Sequence, residues 1–340
     1  MDKIGIVGLG LIGCSLARAL GKNYEVTGVD CDKETVSYCL ENEIISDSGL
    51  ASLRGAKAVF VCVPVGAVER TVRQVSLVVG DDTVITDTAS VKNCFKDLPR
   101  RFVGGHPMAG SEQSGARAGF AEMFENAFWI LTGDKDDPDT QFIASVVKSV
   151  GATPVYMSAE EHDRAVGDIS HLPHLVAYAL TNTVLAPRDG YAALASGGFL
   201  DTTRIASSAP DFWLAVVRAN RDNVLKAMDR FSEEFNKLRS FIETDNSVRT
   251  RAYFSDGKRR RDSLLTLKRY RSEYEIYLPV RDRVGEIGRI ASLLGEHGLD
   301  LKSIRIDNSR EGTGGALRLG FRKLNDYSAA KELLEENGYL

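Results

Sequence analysis

At 340 residues the chain is longer than one ordinary domain, and two or three are expected. Its 43% hydrophobic and 26% charged residues match a soluble globular protein, and a formal net charge of −4 gives no electrostatic case for nucleic acid or a membrane surface as partner. No apolar run reaches the length of a membrane span. The glycine-rich start, with Asp2, lacks the apolar helix of a secretory signal. The five cysteines (Cys14, Cys31, Cys39, Cys62, Cys94) contain no C-x-x-C pair, which suits reduced thiols in a cytoplasmic protein.

Lys3 to Val7 reads as a short buried strand that runs into Gly8-Leu9-Gly10-Leu11-Ile12-Gly13 and then a helical pattern, Cys14 to Leu20. A second strand, Glu25 to Val29, ends on Asp30. This is G-x-G-x-x-G between strand and helix, followed by an acid, the context of a dinucleotide site. Gly8 permits the tight turn, Gly10 lets a pyrophosphate approach the backbone, and Gly13 lets the helix pack close to the strand. The N–H groups at the helix start, around Leu11 and Ile12, would hold the phosphates. Asp30 would accept hydrogen bonds from the adenosine ribose and repel a 2′-phosphate, so the cofactor is read as NAD rather than NADP.

From Lys33 to Glu43 a helix is expected. Ala58 to Val63 is a continuous apolar run ending at Pro64, as for a strand buried on both faces, and Val63 and Pro64 join the cofactor set. A helix over Val65–Val79, a strand over Thr83–Thr86, strands at Phe102–Gly104 and Phe128–Leu131, a helix over Gln141–Val150 and a strand over Thr153–Tyr156 continue the series. The alternation predicts an α/β, Rossmann-type doubly wound sheet over residues 1–157. Residues 158–254 read as an all-helical substrate and dimerisation domain. There Ser158-Ala159-Glu160-Glu161 forms a capping box for a helix through Leu185, Pro173 marks a kink or break, and Asp211–Thr244 forms one long helix. Residues 255–272, with Lys258-Arg259-Arg260-Arg261, read as a basic linker or solvated helix end. Residues 273–340 have the order β-α-β-β-α of a ferredoxin-like α+β unit whose last strand is short or missing.

Three clusters carry the chemistry. Asp87-Thr88-Ala89-Ser90-Val91-Lys92 follows a sheet strand and so lies at the edge where ligands of open α/β sheets bind. Ser90 suits either a ligand contact or a helix N-cap. In Gly104-Gly105-His106-Pro107-Met108-Ala109-Gly110-Ser111-Glu112, His106 emerges at a strand end in what reads as a glycine-rich loop, beside the expected nicotinamide. An imidazole there is able to take a proton from a hydroxyl. In the helical region His171-Leu172-Pro173-His174 places two imidazoles about one turn apart, with no acidic or thiol partner at metal-binding spacing, so no metal is expected. The segment Gly197–Arg204 ends on an arginine able to clamp a carboxylate or to form a surface ion pair, and Trp213 follows.

Taken together, the Gly-Leu-Gly-Leu-Ile-Gly turn, the Gly-Gly-His-Pro-Met-Ala-Gly-Ser-Glu segment, His-Leu-Pro-His and Asp-Thr-Thr-Arg-Ile-Ala resemble the prephenate dehydrogenase family over essentially the whole chain. The tail, from Asp282-Arg283-Val284-Gly285 through Ile290, resembles an ACT domain, a small amino-acid-binding module. The resemblance implies that His106 is the catalytic histidine at the substrate's ring hydroxyl and that Ser90 assists it. It implies that Arg204 holds a substrate carboxylate, that His174 and His171 line the same pocket, that Glu112 with Ser111 stands at its mouth, and that Trp213 forms a wall. It implies oxidative decarboxylation of prephenate to 4-hydroxyphenylpyruvate with NAD, a homodimer, and L-tyrosine as an effector at Asp282, Val284, Gly285 and Ile287. Arogenate in place of prephenate, or both, is equally compatible with the motifs. A β-hydroxyacid dehydrogenase is disfavoured by the lack of a suitably placed Lys-x-x-x-Asn, and a catalytically inactive NAD and amino-acid sensor would not need Ser90, His106 and Arg204 together.

Overall fold

A computed structural model of the chain describes residues 1–110, 113–185, 192–265, 274–280, 283–307, 315–321 and 323–340. The chain divides into two units, Met1–Glu234 and Phe235–Leu340.

The first unit opens with β1 (Lys3–Val7), α1 (Leu11–Leu20), β2 (Glu25–Val29), α2 (Lys33–Glu41), β3 (Asp47–Ser48), β4 (Ala58–Val61), α3 (Val65–Ser76), β5 (Val84–Asp87) and β6 (Phe102–Val103). These strands form one parallel sheet in the order β3-β2-β1-β4-β5-β6. The apolar run in β4 exists because both faces are covered. Phe60 packs with Leu16 and Leu20 of α1, whereas Val59 and Val61 pack with Val68, Val72 and Val75 of α3. Strand order reverses between β1 and β4, and the crevice beyond their C-terminal ends is where such sheets bind ligands. The glycine turn follows β1 and Val63-Pro64 follows β4, so both flank that crevice.

The next strands leave this sheet. β7 (Gly105–Pro107), β8 (Phe128–Leu131) and β9 (Thr153–Tyr156) form a second sheet, β7 antiparallel to β8 and β8 parallel to β9, with α4 (Pro138–Ser149) between β8 and β9. The sequence placed these segments in one series and His106 in a loop, whereas the structure puts His106 inside a strand. The glycines serve close packing here rather than flexibility. A Cβ on Gly105 would lie 2.6 Å from the Asp87 carbonyl oxygen, and one on Gly104 would collide with Thr132 Oγ1.

The helical part begins at α5 (Ala159–Val166), closed by the expected capping box. Glu161 N–H donates to Ser158 Oγ at 3.1 Å and Ser158 N–H to Glu161 Oε2 at 3.0 Å. Gly167–His171 widens into a π turn that runs directly into α6 (Leu172–Leu185). Pro173, lacking an N–H, sits in the first turn of α6 just after the widened turn, so the break expected there is a bulge in a continuing helix. After α7 (Gly197–Thr203) and a 3-10 turn at Arg204–Ser207, the single helix expected over 211–244 is two, α8 (Pro210–Ala219) and α9 (Arg221–Glu243). The break is Asn220, a buried side chain bonded to other segments.

The second unit contains α10 (Ser247–Leu265), β10 (Tyr274–Val280), α11 (Glu286–Glu296), β11 (Leu301–Asp307), β12 (Gly315–Phe321) and α12 (Leu324–Glu336). The strands are antiparallel in the order β10-β12-β11, and Ile276, Leu278, Leu317, Leu319 and Phe321 pack against Ile290, Leu294, Ala330 and Leu334 of the two helices. The basic stretch expected as a linker is helical as far as Leu265, with Lys258 and Arg259 paired along the helix to Asp262 and Asp256; residues 266–272 lie outside the described ones. Among the described residues no helix is long and apolar enough to cross a membrane.

Candidate active site

The glycine turn meets the steric demands of its spacing. Gly8 has φ +95°, and a Cβ there would press on the Cys62 backbone. A Cβ on Gly13 would fall on the Gly8 carbonyl, so α1 approaches β1 only through glycine. A Cβ on Gly10 meets nothing within 4 Å, which leaves an open backbone face at the start of α1. Leu11 and Ile12 form the first turn of α1, where N–H groups lack helical partners. Asp30 follows β2 and is tied to the turn. Its Oδ2 accepts from Leu9 N–H at 2.6 Å and its Oδ1 from Asp32 N–H at 2.9 Å. A carboxylate has lone pairs beyond these two bonds, so it remains able to receive ribose hydroxyls. An open glycine face, free helical N–H groups and an acid at the next strand end fit a dinucleotide.

Beyond the C-terminal end of β5 lies a second group of side chains. Asp87 and Lys92 form a buried ion pair. Asp87 also accepts from Gly105 N–H at 3.0 Å and Ala89 N–H at 3.1 Å, which pins the start of β7 to β5. Burial pulls the Lys92 ammonium below its ordinary value while Asp87 holds it up. Ser90 lies in the same loop. Its Oγ is buried and has no hydrogen-bond partner among the described residues.

His106, carried by β7, reaches α5. Its Nδ1 lies 2.8 Å from Nε2 of His162, whose Nδ1 lies 2.7 Å from Asp163 Oδ1. Asp163 is buried and also accepts from the backbone N–H groups of Lys92 at 2.7 Å and Asn93 at 2.8 Å. Burial, followed by His162, Lys92 and His171, pushes His106 well below its ordinary value, so the ring is neutral at physiological pH.

Asn220 connects this group to the other predicted residues. Its Nδ2 donates to the Asp163 carbonyl oxygen at 2.7 Å and lies 3.2 Å from His171 Nδ1. His171 is buried, its Nε2 has no partner among the described residues, and burial lowers its pKa to about 4. Trp213, also buried, stands edge-on to His171 and stacks on His174 with ring centroids 3.7 Å apart. His174 Nδ1 faces the Ser170 carbonyl at 3.1 Å. Burial lowers its pKa, and the charge of Arg204 lowers it further. The exposed Arg204 opens the 3-10 turn after α7. His106, His171, His174, Trp213 and Arg204, read separately from the sequence, therefore belong to one neighbourhood. Ser111, Glu112 and Asp282 lie outside the described residues. In the second unit Gly285 adopts a left-handed turn at the start of α11, Val284 is fully exposed and Ile287 is partly exposed. Among the described residues no group of three or more His, Cys, Asp or Glu could hold a metal ion.

Sequence reading missed His162, Asp163 and Asn220, and although it put Asp87 and Lys92 in one cluster it did not pair them. A faint signal existed, because His162 and Asp163 stand four and three positions before the apolar Val166, a helical spacing that puts all three on one side of α5, and polar groups on the apolar side of a short helix imply partners.

The chain matches the family model for the nucleotide-binding domain of prephenate dehydrogenase over residues 14–156 and the model for its dimerization domain over residues 158–255. It is 34% identical to the prephenate dehydrogenase of Bacillus subtilis, over 98% of this chain and 96% of that protein. The crystal structure of the Aquifex aeolicus prephenate dehydrogenase in complex with hydroxyphenyl propionate and NAD+ superposes with a TM-score of 0.72 at 31% identity, over 78% of this chain and 98% of that one. The arogenate dehydrogenase of Synechocystis gives 0.69 at 30%, over 77% and 99%.

Proposed function

Since the chain belongs to the prephenate dehydrogenase family and is an NAD-dependent oxidoreductase, we propose that it oxidatively decarboxylates prephenate to 4-hydroxyphenylpyruvate. The observation that carries this reading is His106, a neutral imidazole held by a buried histidine–aspartate pair beyond the sheet edge. The turn around Gly10 and the first N–H groups of α1 bind the pyrophosphate, and Asp30 takes the ribose. Bound NAD+ supplies the hydride acceptor. The ring carbon that bears the hydroxyl gives up its hydrogen as hydride while His106 Nε2 accepts the hydroxyl proton, so that carbon becomes a carbonyl conjugated through the ring double bonds to the quaternary carbon that bears the carboxylate. The bond to the carboxylate then breaks, CO₂ leaves, and the electron pair passes through the ring to the oxygen, which takes up a proton as the ring aromatises. Ser90 Oγ, buried and without a partner among the described residues, supports the same oxygen. Arg204, beside His174 and Trp213, holds a substrate carboxylate, and the stacked rings orient the substrate and exclude water. The open residues Val284, Gly285 and Ile287 are the proposed contact for L-tyrosine, and tyrosine in the assay at millimolar concentration should slow the enzyme.

Arogenate is the second reading, favoured by the similarity to the Synechocystis enzyme. Formation of NADH, followed at 340 nm with prephenate and with arogenate, each with NAD⁺ and NADP⁺, tests both. Turnover of prephenate with NAD⁺ is expected. Preference for arogenate would move the substrate, and turnover of neither would overturn the reaction. A homodimer is inferred from the match to the dimerization domain and from exposed Phe212, Leu214 and Phe231 within it; sedimentation showing a monomer at micromolar concentration would refute it. The five free cysteines support a cytoplasmic setting.

A further inference from the structure

The geometry points to Asp163 and His162 as positioning residues that fix the tautomer of His106 and leave its Nε2 as an unprotonated base. This inference rests on the proposed reaction for its catalytic meaning, though not for its structural content.

Lys92 N–H donates to Asp163 Oδ1 and Asn93 N–H to Oδ2. A backbone N–H only donates, so both oxygens act as acceptors, and an ionised carboxylate has no proton to give. His162 Nδ1, 2.7 Å from Oδ1, must therefore carry a hydrogen. In a neutral ring Nε2 is then the acceptor. His106 Nδ1, 2.8 Å from it, must donate, which leaves the hydrogen off His106 Nε2. The chain of constraint runs from two backbone N–H groups, through three side chains, to the atom that meets the substrate hydroxyl.

The arrangement also accounts for the fate of the proton. When His106 Nε2 takes the hydroxyl proton, the ring carries one hydrogen on each nitrogen and a positive charge. Its Nδ1–H remains bonded to His162 Nε2, and the Asp163 carboxylate lies at the far side of that ring. The charged groups around His106 are Asp163 on α5, Asp87 at the end of β5 and Lys92 in the loop beyond it; His162 on α5 and His171 in the π turn are the other titratable neighbours. Lys92 and a protonated His162 or His171 would oppose the imidazolium, and Asp163 favours it. Protonating His162 would make its Nε2 a donor, reverse the His106 bond and put the hydrogen on the wrong nitrogen. The base therefore depends on His162 staying neutral.

The test uses the full chain labelled with ¹⁵N-histidine, with NAD⁺ bound. In the wild type, His106 should show a protonated Nδ1 and a free Nε2. A protonated Nε2 would overturn the inference without any mutation. His162→Leu should allow the other tautomer, lower kcat about a hundredfold or more, and leave KM and NAD affinity within about threefold; a wrongly set tautomer in a serine protease costs about ten-thousandfold. His162→Gln, whose side-chain carbonyl can accept from His106 Nδ1, should recover at least about tenfold of the Leu loss, a rescue that mere packing would not follow. A kcat in His162→Leu within about threefold of wild type would refute the assignment. Wild-type protein that binds NAD⁺ and shows the expected tautomer but turns over neither prephenate nor arogenate would refute the proposed reaction and leave the tautomer assignment standing.

Discussion

Gly10 and Gly13 lie three residues apart in the same turn but in opposite surroundings, and single methyl groups separate their roles. In Gly13→Ala the added carbon would overlap the Gly8 carbonyl oxygen and lie 2.9 Å from its carbon. Both atoms belong to the backbone, so no flexible side chain can yield, and α1 must move away from β1. Overpacking of this kind costs about 1–3 kcal/mol. For a unit of 150–250 residues each kcal/mol lowers Tm by about 2–4 °C, so a fall of roughly 2–12 °C is expected. The shift also carries the first N–H groups of α1 away from the phosphates, and NAD affinity should drop at least about tenfold, equivalent to about 1.4 kcal/mol. Gly10→Ala is the counterpart. Gly10 has φ −69° and ψ −161°, open to alanine, and its new carbon meets no protein atom within 4 Å. Tm without cofactor should stay within about 1 °C of wild type. NAD affinity should still fall about tenfold or more, because the methyl occupies the face that the pyrophosphate approaches. Circular dichroism melts without cofactor and calorimetric titration with NAD⁺ separate the two effects. Wild-type NAD affinity in Gly10→Ala would refute the placement of the pyrophosphate, and a wild-type melt in Gly13→Ala would refute the packing argument.

His106→Asn should keep NAD affinity and lower kcat about a hundred- to ten-thousandfold; a loss under about tenfold in steady-state assays would remove His106 as the base. Lys92→Met leaves Asp87 charged and buried without its partner, a loss of about 3–5 kcal/mol that urea unfolding should register, and an unchanged midpoint would show the pair to be dispensable. His171 has a pKa of about 4 in the folded chain against about 6.5 unfolded, so protons favour the unfolded state. Its stabilisation is present above pH 6.5 and is lost as pH falls toward 4, about 2 kcal/mol between pH 7 and 5. Urea midpoints for wild type should show this slope, and His171→Gln should flatten it; equal slopes in both would refute the assignment.

The dinucleotide turn was legible in one dimension because its causes are local. A strand, three glycines, a helix start and Asp30 act within thirty residues, and each glycine answers a steric need of the backbone beside it. The alternating strands and helices were legible for the same reason, since burial on two faces writes a continuous apolar run into β4. His106 itself was legible as a candidate, but its strand was not, because glycine reads as loop until Asp87 and Thr132 are seen to crowd Gly105 and Gly104. The surroundings of His106 were decided by tertiary structure. His162 lies 56 positions from His106, Asp163 lies 71 from Lys92, and Asn220 lies 57 from Asp163. Hydrogen bonds over such separations leave no period or spacing in the chain. Sequence by itself marked the turn proposed to hold the nucleotide and the histidine proposed as the base; only the packing of α5 and of the α8–α9 break against the sheet edge decided what that histidine is bonded to, because such partners are neighbours in space and not along the chain.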